Sequence, residues 1–207
     1  DERRRLELEN NFNDWINSPA SLLFFKNVQS LVINGHQIYR QFSHHGASEN
    51  ALWYDLIGNE ADRVLVVKSA PEAFPPEAVE EIRRERNADD LHLPPCQIEI
   101  VYGLKTSQKI FVVLPTGVRP KLPFSINGPF LQDPARFGIK DPSVSPTNRW
   151  LLERAGKLAG ESMVNWLSDQ SLSTEKRASA YCFLPPPPPV GNSLNENVSF
   201  GVFESFK

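Results

Sequence analysis

Two basic residues that follow an Asn-Gly pair are the part of the sequence best suited by type and spacing to chemistry. Within residues 114–150, Asn127-Gly128 is followed by an aromatic residue and then by the isolated cations Arg136 and Lys140. Generic packing does not require strand, turn and basic residues in this order, so the pattern predicts a loop that meets an anionic ligand. The alternative is an ordinary surface loop with solvated cations, since Arg and Lys side chains are mostly exposed.

The same stretch resembles the segment that follows the ATP-binding lobe in sacsin-like members of the Hsp90-type ATPase superfamily. In those proteins a strand with the pattern LP-x-x-I-N-G precedes an aromatic residue, a short loop ending in Arg and a W/N-x-x-LL helix. The matching residues here are Leu122-Pro123, Ile126-Asn127-Gly128, Phe130, Arg136, Ile139, Asn148 and Trp150-Leu151-Leu152. A second match, Leu22–Val28, is similar to the LLFL-(K/R)-N-(V/I) start of the first strand after that lobe. The resemblance covers residues 19–168.

The resemblance implies roles for individual residues in this stretch. In that superfamily the module after the ATPase lobe contributes a cation that reaches the terminal phosphate of the nucleotide and couples hydrolysis to domain movement. A cation supplied from a second domain stabilises charge that develops on the transferred phosphoryl group. By this resemblance Arg136 is the phosphate sensor or its neighbour, Lys140 and Lys121 are secondary cations, and Asn127 and Asn148 fix the loop by hydrogen bonds.

A nucleotide-binding lobe is not expected within this chain. Glu7-x-x-x-Asn11-x-x-Asp14 has the spacing of the family's magnesium helix, but we interpret it as coincidence because no glycine box follows it. The 11 glycines are not clustered, so no loop offers a row of backbone N–H groups to phosphates. We therefore expect no cofactor in the chain itself. The resemblance implies ATP and magnesium for a parent protein whose neighbouring ATPase lobe is this module's partner.

Composition places the chain among ordinary globular proteins. Its 207 residues are 40% hydrophobic and 23% charged, which is enough for one well-buried core. The net charge of -3 argues against a dedicated nucleic-acid binder. The transducer of a nucleic-acid-processing ATPase stays an alternative, and it would need a basic stripe formed by Arg83, Arg84, Arg86, Lys105 and Lys109.

The cysteines and histidines do not form a catalytic or metal-binding motif. Cys96 and Cys182 are far apart and lack a C-x-x-C partner, so neither a disulfide framework nor a zinc site is indicated. The four histidines are His36, His44, His45 and His92. No other residues that could bind a metal lie at a suitable spacing from them, and the sequence contains no nucleophile motif such as G-x-S-x-G. The spacing of the carboxylates selects no acid–base pair. We expect that the chain is not an enzyme on its own.

No apolar run in the sequence is long enough to cross a membrane, and residues 1–5 lack the apolar core of a signal peptide. The default expectation is a cytoplasmic protein that does not contact membranes. The absence of a starting Met suits an excised fragment.

Periodicity and turn residues predict an α+β fold, with a mixed, largely antiparallel sheet, helices packed on one face, and C-terminal helices. Asn34-Gly35 predicts a hairpin. The predicted helices are residues 2–17, 76–87, 146–168, a short one from Ser173, and 194–206. The predicted strands are residues 28–33, 37–42, 51–57, 64–67, 97–104, 110–114 and 123–126. The predicted domains are an N-terminal helix (1–18), a middle domain (19–170) and a C-terminal segment (171–207).

The functional prediction is a non-catalytic middle or transducer module of a larger Hsp90-like, sacsin-type ATPase. The rival of a different class is a protein-interaction module that binds clients or partners through apolar residues 200–206 and the proline run 185–189. We interpret that run as a stiff polyproline II spacer, in preference to an SH3 or WW ligand, because no flanking basic residue orients it. Protein clients and a homodimer stay open.

Overall fold

The computed structural model of the chain describes residues 2–17, 19–88, 90, 92–135, 137–187 and 191–207. Its helices are α1 Glu2–Asn17, α2 Pro76–Arg86, α3 Pro146–Ser168, α4 Thr174–Ala178 and α5 Ser193–Glu204, with short 3-10 helices at Ala20–Leu23 and Ser179–Phe183. Its strands are β1 Ser30–Ile33, β2 His36–His45, β3 Ala51–Ile57, β4 Ala61–Lys68, β5 Glu99–Tyr102, β6 Ile110–Val112, β7 Leu114–Pro115 and β8 Ser125–Asn127.

The strands form one sheet in the order β1-β2-β3-β4-β5-β8-β6-β7. Every neighbouring pair is antiparallel except β6 and β8, which run parallel. The predicted α+β class, with a mixed and largely antiparallel sheet and C-terminal helices, is confirmed. None of the helices in the described residues is both long and apolar enough to cross a membrane.

The hairpin predicted at Asn34-Gly35 is present. Both residues have positive φ, 50° and 80°, which Asn and Gly tolerate and which a two-residue hairpin turn requires. The turn sets the register in which Ile33 faces His36 and Val32 faces Gln37.

The two faces of the sheet pack against hydrophobic cores of different size, and the side chains of β4 point alternately into one core and the other. Leu65 and Val67 face a large core that contains the buried side of α3 and α5, whereas Val64 and Val66 face a smaller core closed by Ala20–Phe24. Because side chains alternate along a strand, one apolar run supplies both cores. The larger core therefore carries the helices, and α3 is its central element.

Helices α3 and α5 approach each other closely enough for backbone contact. A Cβ atom added to Gly156 would lie 2.0 Å from the carbonyl oxygen of Val198, and one added to Gly201 would lie 2.0 Å from the carbonyl oxygen of Glu153. Only glycine fits such a seam. The glycines thus fix the spacing between the two helices.

The structure differs from the sequence prediction at the end of the sheet. The predicted strand 110–114 is interrupted at Val113, whose φ of 65° is unusual for a β-branched residue. Its N–H donates to Asn127 Oδ1 at 2.9 Å, so a side chain from β8 stabilises the break. The proline run is described only as far as Pro187, where it has no regular helix or strand, and its remainder lies outside the described residues.

Candidate functional site

The loop of residues 131–140 (the 131–140 loop) is closed at its base by backbone pairing. Gln132 and Ile139 form an isolated antiparallel bridge, and the N–H of Lys140 donates to the carbonyl of Leu131 at 2.8 Å. Further out, the N–H of Asp133 donates to the carbonyl of Gly138 at 3.2 Å. The loop is therefore a narrow, hydrogen-bonded turn.

The carboxylate of Asp133 organises the tip of this loop. It accepts the backbone N–H groups of Phe137 and Gly138, each at 3.0 Å. Arg136, the central residue of the sequence prediction, lies outside the described residues, so its assignment as a phosphate sensor stays a prediction. Phe137 and Gly138, which follow it in sequence, are held in place by the Asp133 contacts.

A single buried amide fixes both ends of the loop to helix α3. The Nδ2 of Asn148 donates to the carbonyls of Leu131, at 2.9 Å, and Lys140, at 2.8 Å, while its Oδ1 accepts the N–H of Leu131 at 2.8 Å. Asn148 is fully buried in the first turn of α3. Buried hydrogen bonds of this kind are strong because no water competes for them. The loop is thus rigidly coupled to the start of α3.

Lys140, a predicted secondary cation, is neutralised by two carboxylates of α2. Its Nζ lies 2.7 Å from Glu85 Oε1 and 3.1 Å from Glu81 Oε1. The hydrogen bond to Glu85, and with it the bond to Glu81, raises the pKa of Lys140. A cation held in this way positions the loop against α2. Its predicted contact with phosphate stays untested.

Glu81, which lies on α2, also caps the N-terminus of α3. Its Oε2 accepts the Ser145 hydroxyl at 2.9 Å and the Thr147 N–H at 3.0 Å. Burial raises the pKa of Glu81, but the hydrogen bonds from Thr147, Lys140 and Ser145 together lower it below its ordinary value. An anion at a helix N-terminus is favoured by the unpaired N–H groups and the helix dipole. Glu81 therefore joins α2, α3 and the 131–140 loop.

The other two predicted site residues have different surroundings. Lys121 is exposed, and within the described part of the chain it forms no ion pair. Asn127 donates from Nδ2 to Glu99 Oε2 at 2.8 Å and accepts the Val113 N–H. Both functional groups of this amide are used inside the sheet, so Asn127 fixes the β6–β7 turn beside the loop.

The tip of the 131–140 loop rests against the segment that follows β7. The N–H of Gly117 donates to the carbonyl of Phe137 at 2.6 Å, and a Cβ at Gly117 would meet the Phe137 ring at 2.3 Å. The ring is nevertheless 71% exposed. Arg119 and Lys121, both exposed, follow Gly117 within four residues. The tip of the 131–140 loop thus lies against a short exposed segment that carries two cations.

Sequence reasoning missed Glu81, Glu85, Ser145 and Thr147 as parts of this site. The only local signal was Ser145-Pro146, a helix cap followed by proline at the first helical position. The partners on α2 are 55 to 66 residues away in sequence, so no spacing rule brings them together.

The remaining candidates stay apart from this site. Arg84 pairs with Glu80 at 3.2 Å, and Lys105 pairs with Glu60 and Asp62, each at 3.3 Å. His44 stacks on the ring of Trp53, with centroids 5.9 Å apart. Among the described residues no group of His, Cys, Asp and Glu could hold a metal ion.

Comparison of the chain with family models, with curated proteins and with solved structures gave no match.

Proposed function

We propose that the chain is a non-catalytic middle or transducer module of a larger Hsp90-like, sacsin-type ATPase. In this proposal the 131–140 loop presents Arg136 to the terminal phosphate of ATP that a neighbouring lobe holds. The observation that carries the proposal is the anchoring of both ends of the loop by the buried amide of Asn148. Stabilising a transition state needs a donor fixed to within about 0.5 Å, and an anchored loop supplies that.

The anchoring also gives a route for the signal. When the terminal phosphate is present, Arg136 is attracted towards it and the loop is pulled with it. Asn148 passes this pull to the first turn of α3, a helix of 23 residues that spans about 35 Å. Because α3 is the central helix of the larger core, its displacement reaches α5 at the seam between them.

Each of the other candidate residues supports the presentation of Arg136. Lys140 holds the loop against α2, and Asn127 fixes the neighbouring turn. Lys121 and Arg119 add positive charge beside the tip, which attracts a polyanion over a distance of about one Debye length, ~8 Å at physiological salt. ATP and magnesium belong to the neighbouring lobe in this proposal.

The test is ATP turnover by the protein in which this module follows an ATP-binding lobe. Arg136→Ala is expected to lower the turnover number by roughly 100-fold or more, with little change in KM, because its contact forms in the transition state. Arg4→Ala removes an exposed cation of α1, which has no part in the site, and is the matched control, with a rate near that of the wild type. Equal rates for Arg136→Ala and wild type would refute the sensing role.

A second candidate function, partner binding through the C-terminal segment, is favoured by one observation. Phe200 and Phe203 of α5 are largely exposed, although the opposite side of the same helix is buried. This function requires partner binding that is indifferent to nucleotide and to Arg136, which separates it from the transducer proposal.

A further inference from the structure

Helix α5 has apolar residues on both of its sides, but only one side is covered by its own chain. Val198 and Val202 are buried against α3, whereas Phe200 is 53% and Phe203 is 68% exposed. A helix that is apolar all round is typical of one buried on both sides. Two large exposed aromatic side chains on one stable helix indicate a contact surface.

The exposed side of α5 carries a regular stripe of four residues. Glu196, Phe200, Phe203 and Lys207 are separated by four, three and four positions, the spacing that places residues on one face of a helix, and all four are exposed. Helix α5 ends at Glu204, and a turn follows it in which Lys207 N–H donates to the Glu204 carbonyl three residues back, so Lys207 lies just beyond the end of the helix. The stripe thus has an acidic end, an aromatic centre and a basic end.

This stripe is complementary to itself when it is reversed. In an antiparallel pair of α5 helices related by a twofold axis, Phe200 of one copy lies opposite Phe203 of the other, and Glu196 lies opposite Lys207. The aromatic contact and the opposite-charge contact then each occur twice. A twofold interface requires such a self-complementary patch.

We propose that the outer face of α5 is a homodimer interface in which two copies of the chain pack their α5 helices antiparallel, with the phenylalanines at the centre and Glu196–Lys207 pairs at both ends. A parallel pair would place Glu196 beside Glu196 and Lys207 beside Lys207, so the charges select the antiparallel arrangement.

Contacts within one chain leave the charged ends available. Lys207 bonds to Glu204, an exposed pair three residues apart that is worth little in water. Glu196 accepts the Gly191 N–H through Oε1 at 3.1 Å, and its second carboxylate oxygen forms no hydrogen bond or ion pair within the part of the chain that the structure describes. Two short helices bury a small area, so we expect a dissociation constant on the order of micromolar.

The first test is the oligomeric state of the full chain by analytical ultracentrifugation, between about 1 and 200 μM, a range set by the expected affinity. The wild type is expected to shift from monomer to dimer across this range. Phe203→Asp places a charge in the centre of the interface and is expected to give a monomer at every concentration. Because Phe203 lies on the exposed side of α5, the circular dichroism spectrum and melting temperature of the Phe203→Asp variant are expected to match those of the wild type. A monomeric wild type, or a dimer that Phe203→Asp leaves intact, would overturn the proposal.

The second test reads the orientation of the pair through charge reversal. Glu196→Lys alone and Lys207→Glu alone are each expected to weaken dimerisation about tenfold, since each places like charges together twice. An equimolar mixture of the two variants is expected to recover wild-type affinity, because the mixed dimer has two opposite-charge pairs. Glu49→Lys, an exposed change in the β2–β3 turn, is the control for net charge and is expected to have no effect. A mixture no tighter than either variant alone would rule out the antiparallel interface.

Discussion

The seam between α3 and α5 can be tested by replacing Gly201 with alanine. The new Cβ would lie 2.0 Å from the Glu153 carbonyl oxygen and 2.9 Å from the Lys157 backbone nitrogen. Both contacts are with backbone, so no side-chain rotation relieves them. The two helices would have to separate by about 1.5 Å to reach an ordinary contact distance, and the close packing around them would be lost.

Two opposing effects determine the size of the change. Alanine is a better helix former than glycine, which stabilises α5 by about 1 kcal/mol. Overpacking of a close-packed core costs typically ~1–3 kcal/mol and occasionally more, and a clash between two backbones belongs to the upper end. We therefore expect Gly201→Ala to lower the free energy of unfolding by about 2 kcal/mol, and the melting temperature by roughly 4–8 °C for a chain of this size.

The assay is urea unfolding followed by circular dichroism, with two comparisons. Glu161→Ala changes an exposed position of α3 and is expected to alter stability by less than about 0.5 kcal/mol. Gly160→Ala is expected to cost less than Gly201→Ala. Its 1.9 Å contact is with the Ser205 hydroxyl, which can rotate away, and its remaining contacts, Ser205 Cβ at 2.9 Å and Val202 O at 3.2 Å, are longer than the 2.0 Å backbone contact at Gly201. Wild-type or greater stability of Gly201→Ala would refute the reasoning about the seam.

The anchor and cap of the 131–140 loop give two further predictions. Asn148→Leu removes three hydrogen bonds and leaves the Leu131 N–H and the Lys140 carbonyl without their Asn148 partner. We expect the free energy of unfolding to fall by ~2–4 kcal/mol and proteolysis within the loop to become faster. Gln132→Ala changes an exposed residue of the same loop and is the control. Because the folded-state pKa of Glu81 is lowered, its stabilisation is fully present above the unfolded value of about 4.3 and is lost as pH falls below it. Glu81→Gln is expected to flatten the stability–pH profile in that window, an effect that the exposed Glu77→Gln should lack.

Sequence patterns were sufficient for the elements whose signals are local. The hairpin followed from Asn34-Gly35, and α1 and α3 occupy the residues predicted for them. Strand β3 also occupies the predicted residues, because its flanks carry polar turn signals. In each case the local signals, such as turn residues, hydrophobic period and, for α3, the Ser145 cap, indicate the same element, which is the condition for a reliable prediction.

Sequence patterns failed where a distant side chain determines the local structure. The break at Val113 depends on Asn127 Oδ1, and a β-branched residue there would otherwise continue the strand. The role of Glu81 depends on Ser145 and Thr147, which only the packing of α2 against α3 brings within reach. These contacts are tertiary, so no periodicity encodes them.

The loop and the dimer face are connected through one rigid pair of helices. Asn148 attaches the loop to the first turn of α3, and the glycines at 156 and 201 leave no room for α5 to slide over α3 independently. A displacement of the start of α3 must therefore carry α5 with it. With α5 paired to a second copy, a change at one loop would shift the twofold interface and reach the other loop. Replacing Gly201 with alanine would loosen this connection as well as the fold, and in the proposed parent ATPase we expect ATP turnover to respond less to dimerisation.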